Sequence, residues 1–226
     1  MKLIKIQYLP CTTCYLLLHL YMQFPSKLIE DAVNAFATLP GIGKKTALRL
    51  VMHLLQQDTV NTQNLSEALL KMRTNIKFCI HCHNVADDEV CSICTNNYRD
   101  KSVVCIVENF RDIIAIENTR HYNGRYHVLG GLISPMDGIG PEQLTIQTFI
   151  KRIQEEAITE VIMALNPTID GDTTIFYLSK LLAPYNLKIT SIARGIAFGG
   201  ELEYVDEITL ARSIQSRLPY ENYITK

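Results

Sequence analysis

The chain has almost no net charge: its 226 residues carry 22 lysines and arginines against 23 acids, a formal charge of −1. That balance excludes an overall basic field able to draw the whole molecule to nucleic acid or to an anionic membrane, so any such binding must be local. Apolar residues make up 47% of the sequence, yet no run of them is long enough to span a bilayer, and the Tyr15–Tyr21 stretch is short and interrupted by His19. The segment before Met22 lacks a small-residue cleavage site, which argues against a signal peptide. Internal repeats and low-complexity tracts are absent as well. A phosphate-binding P-loop is also missing, because the glycine-rich stretch from Gly130 to Gly140 carries no lysine followed by a hydroxyl, so ATP hydrolysis has little support.

Seven cysteines are present, and four of them fall into two pairs, Cys79-Ile-His-Cys82 and, eight residues later, Cys91-Ser-Ile-Cys94. Two residues between paired thiolates let both sulfurs of a tight turn face one ion, and the second pair completes a tetrahedron. Four protein ligands leave no open position for water. Cys79, Cys82, Cys91 and Cys94 are therefore read as ligands of one structural zinc, which lets a segment too short for its own core fold. The pattern suits a metal better than extracellular disulfides, so a reducing cytoplasm is expected. His81 and His83 are read as surface residues, and Cys105, inside an apolar strand, as a small buried hydrophobe.

Hydrophobic periodicity divides the chain. Residues 1–21 have neither clear periodicity nor caps and are expected to be a disordered extension or an artefact of start-codon choice, with Cys11 and Cys14 left as ordinary thiols. Pro25-Ser26 opens a helix ending at Leu39-Pro40, a second helix runs from about Lys44 to Gln56, and a third from Leu65 to about Lys77. Residues 22–78 thus form a helical module, and 79–94 a zinc knuckle. From Ser102 onward short β-branched runs alternate with amphipathic helices: strands at Val103–Val107, Tyr126–Leu129, Val161–Leu165 and Lys188–Ile192, helices at Asp112–Asn118, Glu142–Glu156, Thr173–Ala183 and Glu207–Leu218. Such alternation predicts an α/β fold with a parallel sheet covered by helices.

Two further groups carry chemistry. Leu39-Pro-Gly-Ile-Gly43 between two helices has the form of a helix-hairpin-helix, in which Gly41 and Gly43 let the backbone approach a phosphate and the next helix offers its positive end. Lys44, Lys45 and Arg49 follow, and from Leu39 to Asn84 there are six basic residues against two acidic ones. The same hairpin could instead serve as a dimer contact. The second group is acidic: Glu108 ends the first strand of the sheet and Asp170-Gly-Asp172 follows the third, so the carboxyl ends of parallel strands could gather three carboxylates around magnesium or present them to a partner.

Taken together these residues resemble the bacterial RecR family of recombination mediators. Leu39-Pro-Gly-Ile-Gly-Lys-Lys-Thr-Ala-Leu-Arg49 is similar to the family's hairpin and the cysteine quartet to its zinc motif. Val104-Cys-Ile-Val-Glu108 resembles the opening strand of its Toprim domain, Leu129-Gly-Gly-Leu-Ile-Ser-Pro-Met-Asp-Gly-Ile-Gly-Pro141 its glycine-rich segment, and Asn166-Pro-Thr-Ile-Asp-Gly-Asp-Thr-Thr174 its acidic loop. Arg194-Gly195 and Gly199–Leu210 resemble its carboxy-terminal signature. Coverage runs from about Pro25 to Arg217, in the family's order. Asp170 and Asp172 stand where many members have glutamates.

The resemblance implies a Toprim-type parallel sheet over 102–193, with helices on both faces, followed by a C-terminal segment over 194–226. It implies a DNA-repair accessory protein with a non-catalytic Toprim domain, working in the cytoplasm at the nucleoid. Such a protein assembles as a homo-oligomeric ring, expected to be a tetramer, and acts with RecO and RecF to help RecA replace single-strand-binding protein. Its DNA, whether single-stranded, gapped or double-stranded, would be bound without sequence specificity. Within that plan the zinc is expected to be a rigid joint between the helical module and the sheet.

Overall fold

The computed structural model describes residues 24–196, 199–217 and 219, so Cys11 and Cys14 lie outside the described residues. The chain forms two compact units, one ending at Met72 and one beginning at Arg73.

The first unit is helical. α1 (Lys27–Ala37) and α2 (Lys44–Leu55) turn their apolar stripes toward each other, burying Val33, Ala47 and Val51 with Phe24, Ile29, Phe36 and Ile42 around them. α3 (Thr59–Asn75) starts six residues earlier than its periodicity predicts and ends two sooner. Its first turns are polar, Thr59 to Asn64, and therefore resemble a linker; the helix has no buried residue at all.

The second unit begins with the cysteine knuckle. A two-stranded hairpin, β1 (Lys77–Phe78) and β2 (Val85–Ala86), and one short helical turn, α4 (Ser92–Thr95), carry the four cysteines. Then come β3 (Asp100–Val107), α5 (Phe110–Thr119), β4 (Gly124–Val128), α6 (Ile146–Glu155), β5 (Glu160–Ala164), α7 (Ile169–Leu182), β6 (Lys188–Ser191) and α8 (Glu207–Gln215). The strands form one parallel sheet in the order β4-β3-β5-β6, with Cys105 opposite Tyr126 on one side and Ile162 on the other.

Strand alternation explains the two-layered core. Val104, Ile106, Val161 and Met163 point to one face, where α6 and α7 supply Phe149, Ile153, Leu178 and Leu182. Cys105, Val107, Tyr126, Val128 and Ala164 point to the other, where Ile113 of α5 covers them. Cys105 is buried as expected, and burial pushes its thiol up to about 12.

Helices of the α/β unit also differ from the sequence expectation, three of them for identifiable local reasons. The segment from Glu142 to Glu156 is not one helix. A single 3-10 turn, Pro141–Gln143, is followed by a break in which buried Leu144 enters the core and the Thr145 hydroxyl donates to the Val128 carbonyl at 2.6 Å. α5 begins at Phe110, two residues early, because Asn109 accepts from Arg111 N while Asp112 accepts from Asn109 N, a reciprocal cap. α7 begins at Ile169, four residues early, because Thr168 Oγ1 accepts from Gly171 N at 3.1 Å. The end of α8 falls at Gln215 rather than at Leu218, which lies outside the described residues.

Candidate metal centre and nucleic-acid interface

The four cysteine sulfurs lie within 4.8 Å of one another and all four residues are buried. Zinc–thiolate bonds of about 2.3 Å in a tetrahedron put sulfurs about 3.8 Å apart, so the quartet fits a structural zinc after small side-chain adjustments. Backbone hydrogen bonds set this spacing. Cys79 N donates to Asn84 O at 2.8 Å and His83 N to Cys79 O at 2.9 Å, closing the first turn; Cys94 N and Thr95 N both donate to Cys91 O, closing the second. His83 adopts a left-handed conformation, φ 60, at the tight point of the first turn.

Cys82 Sγ lies 3.4 Å from Cys91 Sγ, close enough for either sulfur to donate to the other. Four such sulfurs cannot all ionise side by side in a buried site unless a cation joins them. Zinc removes the conflict by accepting all four as thiolates.

His83 is not the surface residue its sequence context suggests. Its ring is half-buried, bonds Thr148 Oγ1 at 2.8 Å and meets buried His127 edge-on with centroids 5.3 Å apart, whereas His81 is exposed. Desolvation lowers the pKa of His83 and brings that of His127 down to about 3, so both rings are neutral packing elements here. The knuckle is further tied to the sheet by Val128 N donating to Cys82 O at 2.8 Å and by Ile93, which packs into the Cys105–Tyr126 cluster.

The hairpin has the predicted form. Ile42 N donates to Leu39 O at 3.1 Å and Gly41 sits at φ +80, a left-handed position where an L side chain is strained. Gly43 is the N-cap of α2 and supplies no side-chain cap, and the first turn of α2 holds no acid. The amides of that turn are therefore open to an external anion at the positive end of the helix. Gly41, Gly43, Lys44, Lys45 and Arg49 are all exposed.

The acidic residues are placed differently from the expectation of three converging carboxylates. Asp170 and Asp172 belong to the first turn of α7 rather than to a loop. Glu108 Oε2 accepts from Asn166 Nδ2 at 2.9 Å, and Asp172 pairs with Arg194 at 2.6 Å and with Arg212 at 3.8 Å. The Arg194 hydrogen bond holds the Asp172 carboxyl below the usual carboxylate range. Among the described residues, only the cysteine quartet forms a cluster of metal-ligand atoms. Gly171 between the two aspartates is required by contact, since a Cβ there would fall 1.9 Å from the Asn166 carbonyl oxygen.

Comparison with known proteins settles the family. Residues 29–73 match the RecR helix-hairpin-helix, 76–96 the RecR four-cysteine zinc finger domain, 102–193 the Toprim domain and 195–217 the RecR C-terminal domain. The chain is 58% identical over 201 residues to the recombination protein RecR of Cytophaga hutchinsonii, covering 88% of this chain and 98% of that protein. The RecR of Amoebophilus asiaticus is 55% identical over 88% of this chain and 100% of its own length, and that of Flavobacterium johnsoniae 55% identical over 88% and 97%. The chain belongs to the RecR family. It is a RecR-family recombination protein, and residues 102–193 of its α/β unit form the Toprim domain. No helix among the described residues is long and apolar enough to cross a membrane.

Charged groups inside the RecR-type α/β unit escaped the sequence reading. Arg99 on the way into β3 donates to Glu117 Oε1 and to Gly124 O, both at 3.0 Å, and Arg125 of β4 donates to Cys94 O at 3.0 Å. In sequence these are scattered charges. Arg125 precedes the strand that the sequence predicts from Tyr126, so nothing local marks its charge as answered from another element.

Proposed function

We propose that the chain is a non-catalytic DNA clamp and recombination mediator. It assembles as a homo-oligomeric ring, expected to be a tetramer, and acts with RecO and RecF to help RecA replace single-strand-binding protein on single-stranded or gapped DNA. Its place of action is the cytoplasm, at the nucleoid. The work divides among a hairpin module over 22–78, a zinc finger over 79–94, a Toprim domain over 102–193 and a C-terminal segment from 194.

The observation that carries this reading is the α2 N-terminus: an uncapped first turn without acids, entered through left-handed Gly41 and flanked by exposed Lys44, Lys45 and Arg49 on a chain of net charge −1. Such a feature holds a phosphate and reads no base, which gives sequence-independent and salt-sensitive binding to single-stranded, gapped or double-stranded DNA. Light scattering and DNA binding of the purified protein, with and without RecO, test the assignment on Lys45→Glu. Unchanged assembly with lost binding assigns the hairpin to DNA. Lost assembly assigns it to a subunit interface, and wild-type protein that ignores gapped DNA at low salt, alone and with RecO, refutes the mediator reading.

A magnesium-dependent Toprim enzyme is the second reading, with Glu108, Asp170 and Asp172 holding the ion. The engagement of Asp172 by two arginines weighs against it and favours a role for this acidic surface in assembly or partner binding. DNA cleavage or ligation that needs magnesium and vanishes in Glu108→Gln would reverse the order.

A further inference from the structure

The α/β unit contains two partly buried arginine–glutamate groups, and they are built differently. Arg99 and Glu117 form a pair of equal and opposite charge. Arg99 donates to Glu117 and to Gly124 O, Glu117 Oε1 also accepts from the Tyr126 hydroxyl, and neither side chain has a buried atom left unbonded.

Arg125, Glu156 and Arg152 form a triad instead. Arg152 Nε donates to Glu156 Oε1 at 3.0 Å and its Nη1 to Tyr126 O at 2.7 Å, while Arg125 Nη1 lies 3.7 Å from Glu156 Oε2. Two guanidinium groups face one carboxylate, so the triad has one positive charge in excess. Arg152 is 5% exposed and Arg125 12%. Arg125 Nε, Arg152 Nη2 and Glu156 Oε2 have no hydrogen-bond partner among the described residues. A buried, unbalanced and incompletely bonded charge group of this kind costs stability unless another charge answers it.

The answering charge is next door. Arg125 Nη2 donates to the carbonyl oxygen of Cys94, a zinc ligand, at 3.0 Å. Four thiolates around one zinc dication leave two negative charges in a buried site. The C-terminal end of α6 explains part of Arg152, since a cation is favourable there. It does not explain Arg125, which sits on the strand and reaches the knuckle.

We propose that Arg125, oriented by Glu156 and Arg152, is the charge-compensating positioning residue of the zinc centre. Its guanidinium lowers the electrostatic cost of gathering four thiolates and, through the Cys94 carbonyl, fixes the second cysteine turn against β4. The inference rests on the zinc assignment. It makes zinc retention depend on the sign of the charge behind the knuckle as well as on the four sulfurs.

The test is zinc release from the full-length protein to a chromogenic chelator, followed well below the unfolding temperature and alongside thermal unfolding of each variant. Arg125→Met is expected to release zinc about tenfold faster or more, the range typical of groups that support metal ligands. Arg125→Lys, which keeps the charge, recovers most of the retention. Glu156→Gln, which adds a positive charge to the triad, holds zinc at least as long as the wild type, whereas a purely mechanical clamp would lose it faster. Arg99→Met serves as the control for lost stability alone. Release from Arg99→Met as fast as from Arg125→Met, release from Arg125→Lys as fast as from Arg125→Met, or unchanged release from Arg125→Met would each overturn the proposal. Wild-type protein purified without zinc would instead remove the assignment on which it rests.

Discussion

Among the described residues the buried core of the helical unit is Val33, Ala47 and Val51, whereas the α/β unit buries fourteen residues on one face of its sheet and six on the other. α3 buries nothing, and an open apolar groove of about 760 Å³ runs along Leu28, Phe36, Leu54, Leu65 and Leu69. The α/β unit adds the cysteine knuckle, hydrogen-bonded to β4, to an already sufficient core. At about 25 cal/mol per Å² of buried apolar surface, the two units differ greatly in what holds them folded. The unit proposed to touch DNA is the weakly packed one, and the strongly packed one carries the metal. Local opening is thus expected to concentrate where the proposed phosphate contacts are.

The largest effect should come from the metal. Chelation of zinc, or Cys82→Ser, is expected to unfold residues 76–96 and to remove several kcal/mol from the α/β unit while leaving α1 and α2 folded, read by peptide-resolved hydrogen exchange. Protection lost equally in α1 and α2 would break the distinction between the units.

Next in size is the core. Phe149→Ala in the α6 layer is expected to cost about 3–5 kcal/mol, and Val33→Ala in the helical unit about 1–2 kcal/mol, both by denaturant unfolding followed separately for each unit. Equal costs would mean that the helical unit is buttressed by more than its own core. Gly41→Ala forces a left-handed conformation on a side chain and should cost the helical unit about 1–2 kcal/mol, with weaker DNA binding and an unchanged α/β unit.

The smallest effect concerns the C-terminal segment. Asp172 is held by Arg194 and Arg212, and its pKa lies below the ordinary 3.8. The attachment it provides is therefore fully present above the ordinary carboxylate value and is lost as pH falls through the lower folded value. The carboxylate is largely exposed, so solvent screening keeps this contribution small. Asp172→Asn should lower the protection of α8 amides, relative to their intrinsic exchange rate, at neutral pH to the level the wild type shows only in acid, with no change in the sheet. Unaltered exchange would show that apolar contacts alone hold α8.

Much of this architecture is readable from the residues themselves. The C-x-x-C pairs fix the metal site because a tetrahedral ion imposes spacing on local sequence. The four strands of the sheet are betrayed by β-branched runs, with boundaries off by at most three residues. What escapes has two physical origins. Side-chain caps override the punctuation of loops: Pro167 and Gly171 read as loop signals, yet Thr168 starts α7 there. Polar residues from Thr59 to Asn64 likewise hide the start of α3. Long-range charge pairing is the other origin, because nothing near Arg125 in sequence points to Cys94 or Glu156. The acidic residues were legible as a group, but their arginine partners, 22 and 40 residues after Asp172, were not.

One consequence of the knuckle concerns misassembly. β4 is an outer strand of the sheet, and Cys82 O caps Val128 N on its open side. A strand border left bare offers its unpaired amides and carbonyls to any other extended chain. Loss of zinc is therefore expected to uncover part of this rim and to bring aggregation before the sheet itself melts, an order that light scattering beside thermal unfolding of the chelated protein would check.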